Sequence, residues 1–124
     1  MSKGKNKMSN RVSWFEIIGG DADRLHRFYA ELFGWKIDAN NEMKYGMVSD
    51  GDAGIGGGIG PDPQGGPGYV TVYIGVDDIK AAMEKAQQLG ATVVMPPTTI
   101  PEFNATFAQF ADPAGHVVGL TQNS

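Results

Sequence analysis

The stretch Trp14–Ile37, WFEIIGGDADRLHRFYAELFGWKI, decides how this chain folds. It opens β-rich, as part of Val12–Ile18, and then changes period. Leu25, Phe28, Tyr29 and Leu32 fall at i, i+3, i+4 and i+7, which predicts one apolar stripe along a helix. Asp21 stands where a side chain can cap the first free N–H groups, and Gly34 where the chain must turn left-handed to stop. The same unit then recurs. Tyr69–Val76 (YVTVYIGV) is β-rich, and Ile79, Ala82, Met83 and Ala86 repeat the stripe. With Asp77 as cap and Gly90 as stop, the second helix matches the first in length.

The flanks extend the parallel. Short strands are predicted near Trp35–Asp38, Lys44–Ser49 and Gly54–Ile59 in the first half. In the second half they fall near Thr92–Met95, Thr106–Ala111 and His116–Thr121. Each half then reads β-α-β-β-β, so the fold class is α+β, built from two βαβββ modules at 12–60 and 69–121. Between them Gly51–Gly68 holds nine Gly and three Pro in eighteen residues, too few side chains for a core. It is read as one thin strand followed by a mobile Gly/Pro-rich linker, 60–68. Its GIGGGIG run fits neither phosphate-loop spacing.

Composition narrows the function classes. The 124 residues fit one domain. The apolar runs are too short to span a bilayer, so no membrane association is expected. Residues 1–11 are polar, lack the apolar segment of a signal peptide, and are expected to form a disordered tail. Without cysteine there are no disulfides, thiolate metal sites or Cys nucleophile. A cytoplasmic location is expected. The net charge of −4 is uneven. Lys3, Lys5, Lys7 and Arg11 lie in the tail, leaving six basic against fourteen acidic residues in the body. Such a body repels a phosphate backbone, so no nucleic-acid partner is expected.

Three segments together carry a family resemblance. Trp14–Ile37 contains the pattern Phe28, Tyr29, Phe33, Gly34, Trp35. Val72–Pro97 (VYIGVDDIKAAMEKAQQLGATVVMPP) gives a second strand, helix and strand, and Phe110–Leu120 (FADPAGHVVGL) a closing hairpin. In this order they resemble the vicinal-oxygen-chelate superfamily, the glyoxalase, bleomycin-resistance and dioxygenase proteins. The resemblance implies two modules whose sheets curl into a half-open cup, a ligand inside it, and often a homodimer. Metal-dependent members take four His, Gln or Glu side chains from the first and last strands of each module. Here those positions hold Trp14, Thr71, Gly119 and one of Gly57–Ile59, so no metal cofactor is expected. The two histidines do not replace them. His26 is expected on the solvent face of its helix, and His116 in a turn bonded to the hairpin backbone.

Strand alternation then sets which residues line the cup. Trp14, Tyr45, Met47, Thr71, Tyr73, Met95, Phe107 and Gln109 are the expected ligand-binding residues, with Glu16 among them. That set is aromatic and polarisable, with one carboxylate, and suits a small organic ligand. Glu16 is the candidate catalytic base, or the seat of a ligand cation. Its alternative is a structural carboxylate satisfied by a tyrosine hydroxyl. The aromatic group has an alternative as well, a dimer or module interface.

Overall fold

The computed structural model describes residues 9–123. They form two compact units: Ser13–Thr71, and Val72 onward together with the described residues before Ser13.

In the first unit the strands are β1 (Arg11–Gly19), β2 (Ile37–Asp38), β3 (Gly46–Val48) and β4 (Gly56–Pro61), side by side in the order β2-β3-β4-β1. β4 runs antiparallel to β3 and parallel to β1, in the register Trp14↔Gly56 to Gly19↔Pro61. Helix α1 (Ala22–Phe33) connects β1 to β2. Asp21 caps it by accepting from the Arg24 N–H, and Gly34 ends it at φ +73°, as the sequence predicts. The strands near 35–38, 44–49 and 54–59 all form, with shifted ends.

The stripe on α1 is rotated from its predicted position. Phe28, Leu32 and Phe33 are each more than half exposed, while Ala22 is buried and Leu25, His26 and Tyr29 are partly covered. His26 is therefore not on the solvent face. Its Nε2 lies 2.6 Å from the carbonyl of Ile59, which requires that nitrogen to donate. A histidine that can bond to a strand carbonyl sits on the sheet side of the helix more stably than the apolar pattern alone suggests.

The glycine-rich stretch also departs from expectation. Gly56–Pro61 is a full strand paired on both edges, and Gly60 and Pro61 belong to it rather than to a linker. The following turn is tied down: the Asp62 N–H donates to Gly19, and Asp62 accepts from Gln64 and Gly65. A short helix, α2 (Asp50–Ala53), has no counterpart in the sequence-based expectation. Ser49 caps it by accepting from the Asp52 N–H. Asn10 and Arg11 do not belong to the expected tail, because β1 begins at Arg11 and the Asn10 N–H already donates to Gly75. Residues 1–8 lie outside the described ones.

The second unit holds β5 (Tyr69–Gly75, whose first three residues belong to the first unit), β6 (Thr92–Ile100), β7 (Ala105–Ala111) and β8 (Val117–Asn123), in the order β5-β8-β7-β6. Helix α3 (Ile79–Gln88) packs Ile79 and Met83 on Ala108 and Leu120, with Ile74, Val93 and Phe110 around them. Its cap is Asp78, which accepts from the Ala81 N–H, rather than Asp77. Gly90 still follows its end, at φ +106°. α3 is thus shorter than α1, and the equal helix lengths predicted from Asp77 do not hold. The expected order of four strands with a long helix after the first holds in both halves, with α2 added between β3 and β4 in the first. β6 runs further than predicted, through Pro96 and Pro97. As the outermost strand it has an edge where prolines cost no ladder bond, and its register shifts around Met95.

Candidate functional site

Three aromatic side chains of the first unit rest on glycines of β4. A methyl group on Gly56 would come within 2.9 Å of the Trp14 ring. One on Gly57 would fall inside the Phe15 ring, and one on Gly58 inside the Tyr45 ring. The run GGGIG is therefore a set of seats: each missing side chain leaves room for a ring from a neighbouring residue. In the second unit Gly119 does the same for Tyr73, its cross-strand partner.

Seated on Gly58 and Gly60, Tyr45 reaches a carboxylate. Its hydroxyl donates to Glu16 Oε2 at 2.8 Å and accepts from the Trp14 indole Nε1 at 3.0 Å. The Tyr69 hydroxyl donates to the other oxygen, Oε1, at 3.0 Å. Glu16 is only 8% exposed. Burying an ionised carboxylate is costly without partners, and here each oxygen accepts an O–H. Trp14, Glu16 and Tyr45 are all among the residues expected at the site. Tyr69 is not; it opens the β-rich run Tyr69–Val76, and the alternation that places Thr71 and Tyr73 would put it on the same face.

Trp14 also lines a groove of 810 Å³, with Met47, Val48 and Gly56 on its apolar side. Its polar side is formed by Ser13, Ser49, Lys36, Asp38, Asp50 and Asp52. Three aspartates and one lysine thus line the same groove. Asp52 also serves the fold, accepting from the Lys36 backbone N–H at 3.0 Å and so tying α2 to the entry of β2. None of the polar rim stands out in the sequence, because Asp38, Asp50 and Asp52 lie on two elements whose approach depends on the fold.

The other expected residues fall elsewhere. Thr71 is buried. In the second unit the Gln109 side-chain amide donates to the Tyr73 hydroxyl at 2.9 Å, with the two residues 8% and 5% exposed. Phe107 meets Tyr73 edge-on at 5.8 Å, and Met95 lies opposite Gln109 on β6. Tyr73, Gln109 and Phe107 thus form one group beside the Gly119 seat. His116 stays in the hairpin turn, where Asp112 accepts from its backbone N–H and lies 3.1 Å from its ring Nδ1. Those contacts, the backbone N–H first, hold the Asp112 carboxyl below its ordinary range against an opposing desolvation effect.

The residues at the implied ligand positions do not fit a divalent ion. The Trp14 ring nitrogen is an N–H donor engaged with Tyr45, and an indole has no lone pair to offer. The spaces beside Gly58 and Gly119 are filled by tyrosine rings. Among the described residues, no three His, Asp or Glu side chains gather as an ion would require.

The fold and the strand order of this site are those of a known superfamily. Residues 11–120 match the model of the Glyoxalase/Bleomycin resistance protein/Dioxygenase superfamily, and the chain belongs to it. CFP32, a Mycobacterium tuberculosis protein carrying a glyoxylase name, is 31% identical over 110 residues, which cover 86% of this chain and 42% of that protein. The chain thus spans less than half the length of that relative. A Vibrio cholerae protein named "Probable lactoylglutathione lyase" is 30% identical over 94% of both chains. Among solved structures, a Vibrio splendidus member of the same superfamily superposes with a TM-score of 0.63 at 16% identity, covering 93% of this chain and 100% of its own. Methylmalonyl-CoA epimerase of Streptomyces coelicolor does so at 0.60 and 17%, covering 94% and 96%. These two similarities concern the fold.

Proposed function

We propose that the chain binds a small organic molecule in the groove floored by Trp14 and Met47, and that it does so without a divalent ion. One observation carries the reading. Trp14 belongs to two structures at once: its indole lines the groove, and its N–H enters the buried Tyr45–Glu16–Tyr69 network. A ligand stacked on that indole rests on a ring held by its hydrogen bond to Tyr45, so little freedom is lost on binding. The rim of Asp38, Asp50 and Asp52 against Lys36 favours an organic cation with an apolar body. The contribution of each exposed carboxylate is small, about 0.2–1 kcal/mol, and cation–π contact adds about 0.5–2 kcal/mol.

Thermal-shift screening of EDTA-treated protein with matched cationic, neutral and anionic aromatic compounds tests this. Stabilisation by the cationic series, reduced in Trp14→Ala, is expected. Equal stabilisation by all three series, or none by any, contradicts it.

A second reading makes the chain an enzyme with Glu16 as the reacting base. The burial of Glu16 and its link through Tyr45 to the groove-lining Trp14 support it. It requires a turnover that Glu16→Gln abolishes in a folded protein. The homodimer expected from the resemblance belongs to this proposal too, supported by the exposed Phe28, Leu32 and Phe33 of α1; sedimentation equilibrium tests it.

A further inference from the structure

Tyr45 stands one residue before β3, and a side chain engages its backbone there. The Asn41 carboxamide accepts from the Tyr45 N–H at 3.0 Å and donates to the Tyr45 carbonyl at 2.8 Å. One residue giving both backbone groups to one partner is the pattern of a hydrogen-bonded pair in an antiparallel ladder. Asparagine can imitate it because its planar amide carries an acceptor and a donor side by side. The intervening chain is shaped around this clamp. The Lys44 N–H donates to the Asn41 carbonyl at 3.2 Å, and Lys44 sits at φ +53°, left-handed and uncommon for a residue with a Cβ. Such a conformation is costly and persists where the surroundings over-determine it.

We infer that Asn41 is the positioning residue of the candidate site: it acts through the Tyr45 backbone to set the phenol on Gly58 and Gly60, where its hydroxyl joins Glu16 to Trp14. Asn41 is not among the residues lining the Trp14 groove, so its effect there passes through Tyr45. The glycines make the space for the ring, and Asn41 fixes the direction from which the ring enters it. The idea that this position matters for affinity rests on the ligand-binding reading above. The geometric part does not.

The chain has two tryptophans, so an ¹H–¹⁵N spectrum shows two indole N–H signals, and Trp14→Phe assigns them. Tyr45→Phe removes the hydroxyl that accepts from Trp14 and should move the Trp14 signal upfield. Asn41→Ala should move it the same way, leaving the Trp35 signal in place. Asn41→Asp keeps size and the acceptor but turns a second oxygen toward the Tyr45 carbonyl, so it should reproduce the shift; it also serves if the alanine variant fails to fold. A merely structural loop residue would lower Tm without moving one indole signal selectively. In the binding arm, Asn41→Ala should weaken a cationic aromatic amine about tenfold, equivalent to about 1.4 kcal/mol. A Trp14 signal unmoved in both Asn41 variants overturns the inference. If wild type binds no amine while the Trp14 signal still moves, the ligand-binding reading falls and the role of Asn41 stands.

Discussion

Gly58→Ala tests the seat on which the whole site depends. The added methyl would overlap the Tyr45 ring at Cζ, Cε2 and the hydroxyl. The overlapped atoms are the rigid end of a phenol pinned by Glu16 and Trp14, so the ring cannot yield by a small rotation. It must leave, or the two strands must part. Overpacking of this kind costs about 1–3 kcal/mol. Losing the tyrosine hydroxyl from a charged, buried acceptor adds about 1.5–3 kcal/mol. Relief of glycine's entropy in a strand returns about 0.5–1 kcal/mol. The net loss is about 3 kcal/mol, which for a domain of this size lowers Tm by roughly 10 °C. Urea unfolding of four proteins isolates the cause: wild type, Gly58→Ala, Tyr45→Ala and the double variant. With the ring gone the methyl should be harmless, giving a coupling of about 3 kcal/mol, the full cost with the ring present. Gly51→Ala in α2, where a methyl meets only the Ser49 hydroxyl at 3.8 Å, is the control and should be neutral or slightly stabilising. If Gly58→Ala costs as much without the Tyr45 ring as with it, the seat argument is wrong.

The same logic extends to other positions. Gly119→Ala should destabilise by a similar amount in circular-dichroism melts, because its methyl overlaps the Tyr73 ring, and Tyr73→Ala should suppress the effect. Glu16→Gln replaces one acceptor oxygen by an NH₂ that faces a hydroxyl, so it should lose about 1–3 kcal/mol in urea unfolding even with no ligand present. Asp112 has a lowered folded-state pKa, so its stabilising contribution is complete above the ordinary carboxylate range, near pH 3.9, and is lost as pH falls through the folded value. Asp112→Asn should therefore flatten the acid side of a Tm-against-pH profile and leave the neutral side's slope unchanged.

Much of the fold is legible in the sequence because its signals are local. Asp21 and Gly34 fix α1, and the stripe of Ile79, Ala82 and Met83 fixes the buried side of α3. Where two neighbours can serve, pattern alone misplaces the cap by one: Asp77 and Asp78 are both able to cap, and the choice depends on which way β5 leads into the helix. On α1 the hydrophobic pattern points to Phe28 and Leu32, but the helix turns His26 to the Ile59 carbonyl, a partner only the fold supplies. Glycines defeat pattern reading altogether. A strand written GGGIG shows no alternation, and its purpose appears only in Trp14, Phe15 and Tyr45 on the residues around it. Of the candidate site, alternation points to Trp14, Glu16 and Tyr45. Tyr69 shares the face of Thr71 and Tyr73, so the same alternation could have found it; Asn41 and the Asp38–Asp50–Asp52 rim could not be found so, since their placement depends on turns rather than period.

The central proposal is that the groove beside Trp14 binds an organic cation without a divalent ion. Calorimetric titration of EDTA-treated protein with a cationic aromatic amine, repeated with its neutral isostere, tests it most directly. Saturable one-to-one binding in the continued presence of chelator, at least about tenfold weaker for the neutral compound, is the predicted result. Binding that appears only after nickel, zinc or manganese is restored would contradict the claim.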